Sequence, residues 1–127
     1  MKNFLSILSL FCISCTSGQA QPDNIPSAEI QIAGAVMAAP EEMRSGARVL
    51  GYDPNGNFVE LRTGTNEMVC VADDPNIEGF NVACYHKDLE PFMARGRELR
   101  EQGKSFKEIF DAREEEVKSG KLCSRHN

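Results

Sequence analysis

The chain has 127 residues, of which 26% are charged, and a formal net charge of −5 at pH 7. This acidic balance argues against a nucleic-acid partner held by phosphate neutralisation, and against a surface that itself binds anionic lipids. With no Trp and only two Tyr, the chain shows no aromatic platform for stacking sugars. Its length suits one domain with a modest core, and we find no internal repeat or low-complexity segment.

The first twenty residues have the order of an export signal. Met1 to Asn3 is short and basic, Phe4 to Ile13 is apolar, and Ser14 to Ala20 is small and polar. The apolar run is too short to remain in a bilayer as a spanning helix. We therefore expect a signal peptide over residues 1–20, and a mature protein in the periplasm, in the cell envelope or outside the cell.

A second processing route is equally open. Cys12-Ile13-Ser14-Cys15 resembles a bacterial lipobox, which implies a leader over residues 1–14 and a lipid attached to Cys15. The acyl chains would then tether the protein to a membrane without a spanning helix. We expect membrane contact only through this anchor. Cys12 and Cys15 also have the Cys-x-x-Cys spacing of redox and metal sites. We do not interpret them as such a site, because they lie in a leader that is consumed in targeting.

The mature chain is predicted to begin with a linker and a helix. Residues 21–27 are polar and rich in Pro, which is typical of a linker. Ser27 is a candidate cap for a helix that continues to Pro40. Helical spacing predicts that one face of it is apolar and buried: Ile30, Ala33, Val36 and Met37. One or two further turns are expected up to Gly46.

Four strands follow, joined by short loops. Arg48 to Asp53 and Phe58 to Arg62 flank Asn55-Gly56, a strong signal for a two-residue hairpin turn. That turn predicts Tyr52 opposite Val59 and Leu50 opposite Leu61. Residues 67–72 and 80–86 supply two more strands, separated by a segment of turn-forming residues. The short connections predict a four-stranded antiparallel meander.

Two cysteines are symmetric in the second hairpin. Cys70 and Cys84 are equally far from Ile77, the middle of the connecting segment, so they become cross-strand neighbours. Directly opposed Cβ atoms lie about 4.5–5.5 Å apart, which allows a disulfide after a small adjustment. We expect this disulfide in an oxidising compartment, and two buried thiols are the alternative. Cys123 is left over, and it pairs with another chain, stays reduced or displaces one partner.

The remaining residues predict a helical hairpin that packs on the sheet. Asp88 is a candidate N-cap of the first helix, and Gly103 ends it. Ser105 and Glu108 have the spacing of a capping box, and Gly120 ends the second helix. Each helix carries an apolar stripe: Leu89, Phe92, Met93, Gly96 and Leu99 in the first, and Phe106, Ile109, Phe110 and Val117 in the second. The fold class is therefore α+β, as one domain over residues 28–127.

Reactive groups are densest between Cys84 and Asp88. Cys84 and His86 share a sheet face, as a thiolate–imidazolium pair would require, but a bridged Cys84 has no thiol to offer. Cysteine and histidine spacings match no compact zinc pattern, and the acidic loop over residues 73–78 lacks the alternation of an EF-hand. We expect no catalytic residue, no metal and no cofactor.

The first C-terminal helix also carries a mixed polar face of six residues: Arg95, Arg97, Glu98, Arg100, Glu101 and Lys104. Paired arginines can bind a carboxylate or another anion. A solvated helix surface is the simpler interpretation, and it is the one we prefer from sequence alone.

The stretch from Gly51 through Cys84-Tyr85-His86-Lys87-Asp88 to Gly96 resembles small exported bacterial proteins to which no activity is assigned. The resemblance implies an exported setting and no particular chemistry. We therefore expect a non-catalytic binding or structural module of the envelope or the secreted fraction, with an unknown partner. The alternative is a small enzyme or metal-binding protein that uses the Cys84 and His86 region.

Overall fold

A computed structural model describes residues 25–122. The predicted signal peptide, Cys15, most of the linker and Cys123 lie outside these residues. Three α-helices and four strands are present: α1 (Ala28–Ala35), β1 (Arg48–Tyr52), β2 (Phe58–Arg62), β3 (Met68–Val71), β4 (Ala83–His86), α2 (Glu90–Glu101) and α3 (Phe106–Lys118). Short 3-10 helices span Val36–Ala38, Glu41–Gly46 and Lys87–Leu89. Within residues 25–122, no helix is both long enough and apolar enough to cross a membrane.

The α+β class is confirmed, but the predicted antiparallel meander is wrong. The strand order is β2-β1-β3-β4, in which β1 and β3 run parallel and the other two pairs are antiparallel. The chain does not place β3 beside β2. After β2 the chain passes over the beginning of β1 and forms β3 on the side of β1 opposite to β2. Strand β1 is therefore an interior strand, and its residues Val49 and Leu50 are buried.

The crossing depends on a close approach between the β2–β3 loop and β1. Gly64 lies against the backbone of Arg48, where an added Cβ would be 2.7 Å from the Arg48 nitrogen. The carbonyl of Gly46 accepts hydrogen bonds from the N–H groups of Thr65 (2.7 Å) and Asn66 (3.1 Å). These contacts hold the loop across the strand end, and no periodic pattern in the sequence encodes them.

The first hairpin differs from its predicted register by one residue. Tyr52 faces Phe58 rather than Val59, and Leu50 faces Glu60. A one-residue shift reverses which side chains share a face. The sheet therefore pairs the two rings of Tyr52 and Phe58, whose centroids are 5.4 Å apart in an edge-to-face arrangement.

The turn explains this shift, because its loop contains three residues instead of two. The N–H of Asp53 donates to the carbonyl of Asn57 (3.0 Å), and the N–H of Gly56 donates to the carbonyl of Asp53 (2.9 Å). Within this turn only Gly56 adopts a positive φ, of 85°. The Asp53 carboxylate also accepts from the backbone of Asn55 and Asn57, which stabilises the longer turn.

Helix α1 begins after Ser27 as expected, but its predicted buried face is wrong. Ile30 and Met37 are 64% and 66% exposed, whereas Gln31 and Ala35 are buried. The helix is turned so that a polar side chain, Gln31, reaches the end of β1. Hydrophobic periodicity cannot reveal such an orientation, because the residue that fixes it is polar.

The sheet lies between α1 and α2, with a small core on each face. Ala35, from α1, packs near Val49 and Cys70 on one face. Leu50, Val69 and Tyr85 form the core on the other face, and Met93 of α2 packs against them. The two helices thus bury opposite faces of the central strands, which is the arrangement expected when both faces are apolar.

The C-terminal hairpin forms, with two differences from the prediction. Asp88 does not cap α2, because it lies inside the Lys87–Leu89 turn. Its backbone N–H donates a hydrogen bond to Nδ1 of His86. The Ser105–Glu108 capping box is confirmed.

The second difference concerns α3, which packs mainly on α2 rather than on the sheet. Only Ile109 of its predicted stripe is buried, while Phe106 and Phe110 are 80% and 53% exposed. The hairpin therefore covers one sheet face with a single helix, and the second helix forms an outer layer.

Candidate functional site

The second hairpin forms in the predicted register. Cys70 lies opposite Cys84 and Met68 lies opposite His86. The two cysteine Sγ atoms are bonded at 2.02 Å, with the Cα atoms 4.1 Å apart. Cys70 is fully buried, and the Cys84 sulfur lies 3.4 Å from the carbonyl oxygen of Ala35. The bridge therefore joins the interior of the sheet to its edge beneath α1.

The disulfide bears directly on the proposed Cys84 and His86 chemistry. With Cys84 bonded, no thiol is available beside His86 to act as a nucleophile. The His86 ring instead lies between two carboxylates, 3.5 Å from Glu67 and 3.3 Å from Asp88. Within residues 25–122, no group of three His, Cys, Asp or Glu side chains converges as a metal site requires. The enzyme or metal-binding alternative remains a prediction that requires the disulfide to open.

A concave surface lies elsewhere, between α2, the first hairpin and the segment over residues 72–82. It consists of two adjoining cavities of about 420 and 370 Å³, which we call the α2 cleft. Both cavities share five lining residues: Tyr52, Phe58, Asp74, Arg97 and Arg100. These volumes are at the small end of the range for small-molecule sites.

Arg97 is fixed in the cleft by two neighbours. Glu90 accepts a hydrogen bond from the Arg97 guanidinium at 2.5 Å, and the Tyr85 hydroxyl accepts another at 3.2 Å. Tyr85 in turn donates to Glu90 at 2.5 Å. The guanidinium lies 5.1 Å from the centre of the Phe58 ring, within the range of a cation–π contact. Arg97 is therefore held in place, with its charge paired to Glu90 and two of its N–H groups engaged within residues 25–122.

The Tyr85 phenol is held in its neutral form by the same arrangement. Burial, followed by the hydrogen bond to the Glu90 carboxylate, raises the pKa of Tyr85 to about 12. A neutral phenol can donate to Glu90 and accept from Arg97 at the same time.

Arg100 is placed one turn further along α2. Its side chain lines both cavities, and no acidic side chain of residues 25–122 forms an ion pair with it. The neighbouring cation Arg95, by contrast, is paired with Glu116 at 2.9 Å and with Glu98 at 2.8 Å. Arg100 is thus the guanidinium of the cleft that remains available to a ligand.

Asp74 supplies the opposite charge from the facing wall. One carboxylate oxygen, Oδ1, accepts hydrogen bonds from the backbone and side chain of Asn76, at 2.9 and 3.1 Å. The carboxylate also lies beside the Tyr52 hydroxyl. Burial of the phenol, followed by the Asp74 charge, raises the pKa of Tyr52 to about 12. Tyr52 is therefore protonated at neutral pH, its hydroxyl faces the Asp74 carboxylate, and it does not act as a base.

Gln31 positions Tyr52 from behind the sheet. Its side-chain amide donates to the carbonyl of Tyr52 (2.8 Å), and its oxygen accepts from the Tyr52 N–H (2.9 Å). A third bond runs to the carbonyl of Pro26 (2.8 Å). Gly51 makes room for this side chain, because an added Cβ there would be 2.6 Å from the Gln31 oxygen. The aromatic wall of the cleft is thus anchored by a buried amide.

The sequence indicated part of this site. Arg97, Arg100 and Glu101 belong to the polar face on which paired arginines could bind an anion, and all three line the cleft. No sequence pattern connects Tyr52, Phe58 and Asp74 to that face, because they lie on other elements. The register of the first hairpin was the signal needed, since a three-residue loop ending in Gly56 would have paired Tyr52 with Phe58.

The groups that line the cleft are suited to ligand recognition. They include aromatic faces, one available guanidinium, carboxylates and a neutral phenol, without a nucleophile and base in contact. The chain matches no protein-family model, no curated protein and no solved structure.

Proposed function

We propose that this chain is an extracytoplasmic, non-catalytic binding module of a bacterium, and that the α2 cleft is its ligand site. The single observation that carries the binding role is the convergence of Tyr52, Phe58, Asp74 and Arg100 on one concave surface. Such a surface, with an apolar body and a few convergent polar groups, is the usual form of a small-molecule site.

The exported setting is supported by independent features of the chain. The leader-like order of residues 1–20 is one of them. The second is the Cys70–Cys84 disulfide, since such bonds persist mainly in oxidising compartments. A small domain outside the cytosol also gains stability from a covalent link that its modest core does not provide.

A fractionation experiment tests the location. The full chain is expressed in a bacterial host that exports proteins, beside a variant that lacks residues 1–20 and a Cys15→Ala variant. We expect the full chain in the periplasmic or envelope fraction and the truncated chain in the cytosol. Incorporation of labelled fatty acid that Cys15→Ala abolishes identifies a lipoprotein, and export without label identifies ordinary secretion. A full chain that stays cytosolic would contradict the proposal.

A thermal-shift screen tests the binding role. The oxidised protein is screened against a library of small metabolites, and each compound that raises its melting temperature is repeated with Arg100→Gln and Lys118→Gln. Lys118 is an exposed cation of α3 that pairs with Glu114 and does not line the cleft, so it is a matched control. Compounds that lose their effect only in Arg100→Gln support the site. A screen whose effects persist in Arg100→Gln would show that the cleft is not the ligand site.

A further inference from the structure

Charges of opposite sign stand on facing walls of the α2 cleft. Arg97 and Arg100 come from α2, and Asp74 comes from the segment that leads to β4. Because Glu90 already engages Arg97, three charges line the cavity without an ion-pair partner among residues 25–122: Arg100 and Glu101 of α2, and Asp74 of the other wall. Arg100 and Asp74 both lie close enough to influence the same phenol, that of Tyr52.

The same cleft has an apolar lining of aromatic and aliphatic side chains. Tyr52 and Phe58 provide two rings at 67° to one another, so a ligand group can contact the face of one and the edge of the other. Val71 and Met93 extend the apolar lining toward the sheet, where both pack against the buried core. A flat apolar group fits this surface better than a polyhydroxylated one.

The arrangement of charge restricts the ligand further. A simple anion would meet Arg100 but also the carboxylates of Asp74 and Glu101, in a chain whose net charge is −5. A simple cation would meet Asp74 and Glu101 but also the guanidinium of Arg100, which has no ion-pair partner among residues 25–122. A molecule that carries both charges avoids either conflict, and each charge gains a charge-assisted hydrogen bond.

We propose that the α2 cleft binds a small zwitterion with a flat apolar side group, of the class of aromatic α-amino acids. The inference rests on the proposed binding function. The ligand carboxylate is held by Arg100, its ammonium group by Asp74, and its ring by Tyr52 and Phe58. Glu101 borders the same cavity and favours the ammonium over a second carboxylate.

Isothermal titration of the oxidised protein with three compounds tests this assignment. L-Phenylalanine has both charges, phenylacetate lacks the ammonium group, and phenethylamine lacks the carboxylate. We expect phenylalanine to bind at least about tenfold more tightly than either of the others, because each loses a charge-assisted contact.

Two substitutions assign the charges to their walls. Arg100→Gln should weaken phenylalanine and phenylacetate but not phenethylamine, whose ammonium group no longer meets the repulsion of the guanidinium. Asp74→Asn should weaken phenylalanine and phenethylamine, and it keeps an Oδ1 that can still accept from the Asn76 backbone. Lys118→Gln and Asp111→Asn, the same changes of charge on α3, are controls that should alter none of the three affinities.

The outcomes separate this inference from the proposed function. Equal affinities for the three compounds, or phenylalanine binding that survives both cleft substitutions, overturns the zwitterion assignment. Phenylacetate that binds as tightly as phenylalanine, and weakens in Arg100→Gln, shows an anion site and leaves the binding function standing. Absence of binding by all three compounds overturns the assignment alone, because the binding function is decided by the thermal-shift screen.

Discussion

Replacement of Gln31 by Leu removes the polar anchor behind the cleft while keeping a side chain of similar size. Gln31 is only 7% exposed, and its amide makes three hydrogen bonds of 2.8–2.9 Å. Its loss leaves the backbone N–H and carbonyl of Tyr52 without hydrogen-bond partners. The carbonyl of Pro26 is exposed, so it can form a hydrogen bond with water instead. At about 1–3 kcal/mol for each of the two orphaned groups, the free energy of unfolding should fall by about 2–6 kcal/mol.

The isosteric change Gln31→Glu separates hydrogen bonding from volume. The carboxylate still accepts from the Tyr52 N–H, but it has no hydrogen for the carbonyls of Tyr52 and Pro26. Protonation restores one donor and removes the buried charge, so the carboxyl of the variant should have a raised pKa. The loss relative to the wild type is therefore largest at neutral pH, and it shrinks as the pH falls through that raised pKa.

Urea denaturation of the oxidised proteins at neutral and acidic pH measures both effects. Glu29→Gln, an exposed change on the same helix, should stay within about 0.5 kcal/mol of the wild type. The reasoning fails if Gln31→Leu unfolds at the wild-type midpoint, or if Gln31→Glu shows the same deficit at both pH values. Either result would mean that Tyr52 is held by something other than this amide.

Three further predictions concern the crossing, the disulfide and the phenols. Gly64→Ala should lower the free energy of unfolding by about 1–3 kcal/mol in urea titration, because its Cβ meets the backbone of β1, and an unchanged midpoint would count against the crossing contact. Replacing Cys70 and Cys84 together by Ala should cost about 3 kcal/mol by the same measurement, and a loss below about 1 kcal/mol would refute the covalent contribution. Ultraviolet titration should place the pKa of the Tyr52 and Tyr85 phenols near 12 rather than 10.0. Because the folded state keeps protons that the unfolded chain releases, the free energy of unfolding should fall between pH 10 and 12. Phenols that titrate near 10.0 in the folded protein would contradict that burial.

Local patterns in the sequence predicted the helices and strands, together with the contact between Cys70 and Cys84. The capping box at Ser105 and Glu108 depends on residues three apart, and it formed as predicted. The Cys70–Cys84 register depends on symmetry about one loop, and it also formed. Both predictions are confirmed because each depends on a short stretch of sequence, and each pattern allows one arrangement of the residues.

Topology could not be predicted in the same way. The parallel pairing of β1 and β3 follows from the loop at Gly64, which packs against a strand that is distant in sequence. A glycine in a loop has many uses, and only the assembled sheet shows that this one permits a crossing. The meander was therefore the natural expectation, and tertiary packing overrode it.

The candidate site was partly hidden for a related reason. The sequence predicts that the arginines of α2 share a polar helix face. Whether that face belongs to a binding site depends on Asp74 and the paired rings across the cleft. The rings come together only in the three-residue turn, and Gln31, which anchors Tyr52, lies outside the apolar face predicted for the first helix. Long-range polar contacts of this kind leave no periodic signal.

The most direct test of the account is mass spectrometry of the protein isolated from the cells that make it, alkylated before any reduction. We predict a peptide in which Cys70 and Cys84 are joined, and a mature amino terminus at Gln21 or at a lipid-modified Cys15. A chain that still begins with Met1, with both cysteines carrying the alkyl label, would contradict the extracytoplasmic, disulfide-bonded module proposed for this sequence.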